Sequence, residues 1–316
     1  MTVLYGSTFQ SFRFFNLTDP GGAADAVEYV KISRGDPDVD LDGPHFYRWL
    51  TPAAARLVLP ISESLVSDPD FATRLSFYFV NFAFSTATGV ILFALLQAMG
   101  FSVLASLIGL CLFASSRATV LVTATPMVDA AYYCAIAAVC YLTVANKTVA
   151  LALLLPVLVL SKETVIPFLL LPLLTPMRRS PAVWAGLAVA GLTFVVSGRL
   201  IDATYATQGP SLADSVWEHL DQIGTSLQAL GTPAGLHDLQ SGFSFLIALA
   251  AVGAWLNARH RSHAVPVVVV ATLPIALVLA LLSGNAGRMI FAAFPAVIAY
   301  ALVAIEQVAG GRRDSR

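Results

Sequence analysis

From residue 75 onward apolar residues run in long blocks, with polar residues gathered into short breaks and into two longer stretches, 1–74 and 201–242. A helix needs roughly 20 apolar residues to cross about 30 Å of hydrocarbon. The blocks predict spans near 75–98, 101–117, 127–145, 149–161, 164–176, 181–200, 243–257, 264–283 and 289–308. The pattern is that of an all-α polytopic membrane protein with about nine transmembrane helices. It divides into an outward first loop (1–74), core spans (75–200), an outward amphipathic loop (201–242) and C-terminal spans with a basic tail (243–316).

The blocks 149–161 and 164–176 can also be read as one helix interrupted by Ser161, Lys162, Glu163 and Thr164. Orientation decides between the two. Taken as a hairpin, they put Lys147, Arg178, Arg179, Arg259, Arg261, Arg312, Arg313 and Arg316 on one side, which positive-inside bias makes cytoplasmic. Taken as one helix, the basic loops split between the sides and a Lys-Glu pair falls near mid-bilayer at a few kcal/mol per charge. The hairpin is preferred. Of the carboxylates, only Glu306 and Asp314 then face inward.

Composition narrows the class. With 57% hydrophobic and 12% charged residues and a net charge of −1, the chain lies far from the soluble norm of about 25% charged. A water-soluble globule, a disordered chain, a disulfide scaffold and a basic nucleic-acid binder are excluded. Cys111, Cys134 and Cys140 sit in apolar runs and read as packing residues. Residues 1–15 are too short and too polar to span and lack a signal peptide's charged start and cleavage site. The expectation is that a first helix lies upstream, with Met1 inside or just after it.

In the first loop, Asp19-Pro20 has the form of a helix start, and Lys31, Arg34 and Gly35 that of a helix end. On that helix Asp25, Glu28 and Tyr29 share one face by their i, i+3, i+4 spacing. Asp38, Asp40, Asp42 and Gly43 imitate the start of a calcium loop, but the position that needs glutamate is Trp49, so an exposed acidic turn is the plainer reading. In the second loop, Leu212–Leu230 predicts an amphipathic helix with Trp217, Leu220, Ile223 and Leu227 on one side, suited to a membrane surface or to the cover of a cavity.

The hairpin carries the sharpest signal, because its arms are short. About 13 residues reach only about 20 Å, so Lys162 and Glu163 should lie inside the membrane's thickness, where ionisable residues mark functional sites unless they satisfy one another. Arg117, Asp129, Arg199 and Arg288 come to the same outer ends. A ring of snorkelling anchors accounts for Arg117 and Arg199. It accounts poorly for Asp129, which is too short, and for Arg288, which sits in the tight turn G-N-A-G-R.

These residues carry a resemblance. An outer acid on a short helix, then Y-R-W-L-T-P (47–52), T-P-M-V-D-A (125–130), S-K-E-T (161–164) and G-R-M-I-F-A-A-F-P (287–295), resembles the C-type (GT-C) membrane glycosyltransferases, in particular small bacterial ones. The resemblance implies a helical membrane module whose first outer loop bears a catalytic acid. It also implies a sugar taken from a polyprenyl-phosphate carrier and passed to a lipid or glycan acceptor outside the bacterial cytoplasmic membrane. By position, Asp25 would be the acid and Glu28 its neighbour. Lys162 or Arg288 would hold the carrier phosphate, with Arg48, Arg117, Asp129 and Glu163 around it. The large soluble C-terminal domain that some members of the family use for acceptor recognition is not expected here.

The chemistry is compatible with that resemblance. A carboxylate must accept the proton of the attacking hydroxyl, and cations must stabilise the departing phosphate. No motif demands a cofactor, and a divalent metal is left as an option. Membrane lipids are the surrounding partners and nucleic acid is not one. A secondary transporter or lipid flippase is the alternative, since recessed charges and broken helices also mark transport sites, and a non-catalytic assembly subunit is a third reading.

Overall fold

A computed structural model describes residues 2–16, 25–35, 48–205, 212–260, 264–283 and 286–310, and every regular element among them is helical. The Asp19-Pro20 pair, the acidic turn with Asp38, Asp40, Asp42 and Gly43, Tyr47, Arg261, Gly284-Asn285 and the tail residues Arg312, Arg313, Asp314 and Arg316 lie outside the described residues.

The N-terminal part comprises α1 (Thr2–Phe14), α2 (Ala26–Arg34), α3 (Leu50–Leu65) and α4 (Pro69–Ala98). Helix α2 ends as its sequence predicts: Gly35 takes the left-handed conformation at φ 71°, which closes the helix with backbone bonds to Ile32 and Lys31. Helix α4 starts on Asp68, whose carboxylate accepts from the backbone N–H groups of Asp70 and Phe71, with Pro69 at the first helical position. Arg34 joins the two helices by pairing with Asp70 at 2.7 Å and donating to Thr73 at 3.0 Å.

The central part comprises α5 (Val103–Ser115), α6 (Arg117–Ala124), α7 (Asp129–Val144), α8 (Thr148–Leu158), α9 (Ile166–Leu169) and α10 (Pro181–Tyr205). Three 3-10 turns, Glu163–Val165, Leu171–Leu174 and Pro176–Arg179, flank α9. The C-terminal part comprises α11 (Leu212–Leu230), α12 (Pro233–Phe243), α13 (Leu246–His260), α14 (Val267–Val270), α15 (Thr272–Leu281), α16 (Ala286–Ile290) and α17 (Phe294–Gly310). Helix α11 coincides with the amphipathic helix read from the sequence; of its apolar face, Leu220 and Leu227 are exposed and the Trp217 side chain lies outside the described ones.

Among the described residues, three helical stretches are long and apolar enough to cross a membrane: Pro69–Ala98, Pro181–Leu200 and Ala286–Val308. A fourth is added if α5 and α6, bent by 55°, count as one span. The other apolar blocks form shorter helices, so nine full-length spans are not shown among the described residues. Local chemistry explains the breaks. Ser116 turns α5 into α6 by accepting from the Thr119 N–H, and Pro167, Pro172 and Pro176 open successive short turns after Glu163.

Helix α7 lies at the centre, buried along nearly its whole length. Its 16 residues separate Asp129 from the Lys147 turn by about 24 Å. The 149–176 region does reverse. Lys162 lines a cavity with Leu279, Leu282 and Ser283 at the far end of α15, whereas the Leu171–Leu174 turn packs on α14 at the near end of the same apolar stretch. Residues 163–174 therefore return across the depth that α8 climbed. Glycines permit the tightest crossings: a Cβ on Gly186 would meet the Ala152 backbone, and one on Gly253 the carbonyl of Tyr300.

Candidate functional site

The six charged side chains of the site are brought in by five separate pieces of backbone. Asp25 opens α2. Arg48 precedes α3, whose first residue Leu50 donates its N–H to the Leu160 carbonyl at 3.1 Å, tying this strand of chain to the hairpin turn. Asp129 begins α7. The loop before it is fixed by Asn81 of α4, whose amide donates to the carbonyls of Thr125 and Met127 at 2.8 and 2.9 Å. Lys162 and Glu163 form the hairpin turn, and Arg288 projects from α16, whose Arg288 carbonyl accepts from the Tyr133 hydroxyl at 2.9 Å.

The pieces form one network of three acids and three bases. Arg48 grips Glu163 with two bonds, Nη2 to Oε1 at 2.7 Å and Nε to Oε2 at 2.9 Å, and Nη1 donates to the Tyr29 hydroxyl at 2.5 Å. Asp25 Oδ2 stands 3.6 Å from Arg48 Nη1 and 3.5 Å from Arg288 Nη2. Asp129 pairs with Lys162 at 2.8 Å and lies 3.8 Å from Arg288 Nη1. Lys162 also sits 5.5 Å from the Tyr132 ring centroid, within range of a cation–π contact.

Exposure separates the roles. Asp129 and Lys162 are each 1% exposed, Glu163 is 20% and Asp25 is 29%, so Asp25 is the acid of this network that an incoming molecule meets most readily. Burial pushes the Tyr29 hydroxyl well above its ordinary range although Arg48 beside it pulls the other way, so Tyr29 is neutral. Burial alone would lower the Arg48 guanidinium; Glu163 reverses this and holds it above its usual range.

The network borders a cavity of about 320 Å³. Arg48, Lys162, Glu163 and Thr164 make its polar end, and Pro167, Leu220, Leu279, Leu282 and Met289 make apolar walls. One end can hold an anionic or hydroxyl-bearing group while the other covers hydrocarbon.

Of the residues singled out from sequence, Asp25, Arg48, Asp129, Lys162, Glu163 and Arg288 come together. Glu28 and Arg117 do not join them. Glu28 shares a face with Asp25 but pairs with Lys31 at 3.3 Å. Arg117 stands exposed at the elbow between α5 and α6, because the chain bends there instead of ending a straight span. Arg199 is exposed on α10. Among the described residues no group of three His, Cys, Asp or Glu side chains gathers as metal ligands would.

The sequence reading missed Asn81, Tyr132 and Tyr133, and it noted Tyr29 only for its helical face. A signal for two of them exists. Asp25–Tyr29 and Asp129–Tyr133 are both acid–tyrosine pairs at i, i+4, and in each the tyrosine binds the arginine stretch that the acid faces. Asn81 gives no such signal beyond being an amide inside an apolar block. No protein-family model, curated protein or solved structure matches the chain.

Proposed function

We propose that the chain is a membrane glycosyltransferase of the GT-C kind, moving a sugar from a polyprenyl-phosphate-linked donor to an acceptor hydroxyl at the outer face of a bacterial cytoplasmic membrane. One observation carries the reading: acids and cations from five separated stretches form one network, and three of its members, Arg48, Lys162 and Glu163, line the polar end of a cavity whose other walls are apolar. That combination fits a molecule with a phosphate at one end and hydrocarbon at the other. In this reading the apolar blocks amount to about nine crossings, with the short arms of 149–176 as one dipped hairpin.

Glycosyl transfer needs few parts. The acceptor oxygen bonds to the anomeric carbon, the bond from that carbon to the phosphate oxygen breaks, and its electron pair leaves with the phosphate. Asp25 takes the acceptor's proton. The most exposed acid of the network suits this role, since a general base must lie within hydrogen-bond reach of its proton. Arg288, 13% exposed and between Asp25 and Asp129, is the cation placed to receive the phosphate charge. Lys162 is committed to Asp129 and contributes positive potential at short range. Arg48 is spent on Glu163 and Tyr29, so it positions Asp25 rather than holding phosphate.

The test is transfer by purified protein from a panel of radiolabelled polyprenyl-phosphate sugars. Asp25→Asn should lower the rate by about 10² to 10⁴, the usual worth of a general base, and Arg288→Ala by about 10² to 10³, as for one lost charge-stabilising donor. Transfer that survives both substitutions removes the site. No transfer with any donor, together with substrate uptake into proteoliposomes, replaces the enzyme with a transporter.

A further inference from the structure

A second cavity of about 330 Å³ lies on the other side of α15 and α16, and its lining is apolar throughout apart from the Tyr300 hydroxyl. Helix α15 and its C-cap turn Leu279 and Leu282 to the charged cavity, and the helix turns Leu273 and Leu277 to this one. Helix α16 makes the same division over three consecutive residues: Arg288 enters the ion network, Met289 lines the charged cavity and Ile290 lines the apolar one. The two cavities are neighbours that share a wall, and that wall carries Arg288.

The second cavity is a slot with a direction. From the end of α16 through α17 its lining runs from Ile290 to Tyr300, on α13 from Ile247 to Ala254, and on α15 from Leu277 down to Leu273. Ten residues of helix are about 15 Å long, half of a hydrocarbon core about 30 Å thick, so the slot has the length of one leaflet's lipid chain. Its Ile290 end lies two residues from Arg288, at the level of the ion network. Alanines make it hollow: Ala250, Ala251, Ala254 and Ala293 line it where larger side chains would fill it. The part of α17 that borders it belongs to one of the three helical stretches able to cross a membrane, and Ile247, Leu277 and Val278 beside it are exposed, so hydrocarbon is the medium at its mouth.

We infer that this slot takes one hydrocarbon chain of a lipid acceptor, so that the hydroxyl to be glycosylated belongs to a membrane lipid. The inference rests on the glycosyltransferase reading of the neighbouring cavity. The donor's first hydrocarbon units occupy the charged cavity, with its phosphate beyond that cavity's polar end at Arg288; the acceptor's chain lies across the α15–α16 wall, and its head group reaches Asp25 past Arg288. In the reaction the lipid's hydroxyl oxygen forms the new bond to the sugar and its proton passes to Asp25.

The experiment uses the full chain in proteoliposomes containing diacylglycerol with a diazirine in one acyl chain. Light should attach the probe to segments 247–254 and 293–300. Ala254→Leu and Leu277→Trp, which narrow the slot from two helices, should each lower that labelling fivefold or more. Labelling of the exposed face of α10 at Trp184, Val189 and Leu192 serves as the internal reference and should not change. Slot labelling no higher than that of α10, or indifferent to both variants, overturns the inference. A second arm reads transfer: both variants should lose transfer to lipid acceptors and keep transfer to a short water-soluble alcohol. Equal loss to both acceptors also overturns it. If wild type transfers to no acceptor, the glycosyltransferase reading fails, and labelling still decides whether the slot binds a lipid chain.

Discussion

Arg48 uses its guanidinium as a fixed fork, two bonds to Glu163 and one to the Tyr29 hydroxyl, while standing 3.6 Å from Asp25. Lysine keeps the charge but cannot make that planar set of bonds. Arg48→Lys should therefore leave donor affinity nearly intact and lower turnover by about 10²-fold, the cost of misplacing a reacting group by an ångström or so. Separate measurement of KM and kcat checks this, and a rise in KM alone would make Arg48 a ligand of the donor. The Asp129–Lys162 pair, 1% exposed on both sides, behaves differently. Removing one partner strands a buried charge, so Asp129→Ala should destabilise the protein by about 3 to 5 kcal/mol, and adding Lys162→Met should recover much of it. Thermal unfolding in detergent reads both, and a double variant less stable than Asp129→Ala would show that the pair is not the unit of stability. These pairings were only half legible beforehand. The Glu28–Lys31 pair follows from i, i+3 spacing on one helix, but the choice of Glu163 for Arg48 depends on where the chain places a neighbour 115 residues away.

At the scale of elements, the reversal within 149–176 was legible because a polar turn, Ser161 to Thr164, interrupts two apolar arms each too short to cross a bilayer. The bends were not. Ser116, Arg117 and the prolines after Glu163 are visible in the sequence, yet a hydropathy window averages over them, and 101–117 reads as a straight span although α6 leaves α5 at 55°. Helix–helix contact likewise hangs on single atoms that no periodicity reveals. Gly253 lies so close to the Tyr300 carbonyl that any side chain there collides with backbone. Gly253→Leu should thus part α13 from α17 and cost about 1 to 3 kcal/mol or more, seen as a lower melting temperature. Gly191, with open space around its α-carbon, is the matched control on α10, and Gly191→Leu should leave the melting temperature unchanged.

For the whole molecule, the spacing of charges along the helices fixes a depth. From Asp129 to the Lys147 turn is about 24 Å along α7, and from Arg288 to Glu306 about 27 Å along the last span. At the far end Glu306 closes that distance by accepting from the Ser102 N–H and hydroxyl at 3.4 and 3.1 Å, capping α5 where Lys147 and Arg259 are also exposed. If the exposed Lys147 end marks one boundary of a core about 30 Å thick, the ion network falls a few ångströms inside the other, and the proposed chemistry requires that other boundary to be the outer one. Two exposed positions report it: Ser64 at the end of α3, beyond the network, and Lys147 at the opposite turn. In a background with Cys111, Cys134 and Cys140 replaced, a membrane-impermeant thiol reagent applied to intact cells should label Ser64→Cys and spare Lys147→Cys until the membrane is opened. The reverse pattern would turn the charged cavity toward the cytoplasm and cut it off from any donor presented on the outer leaflet.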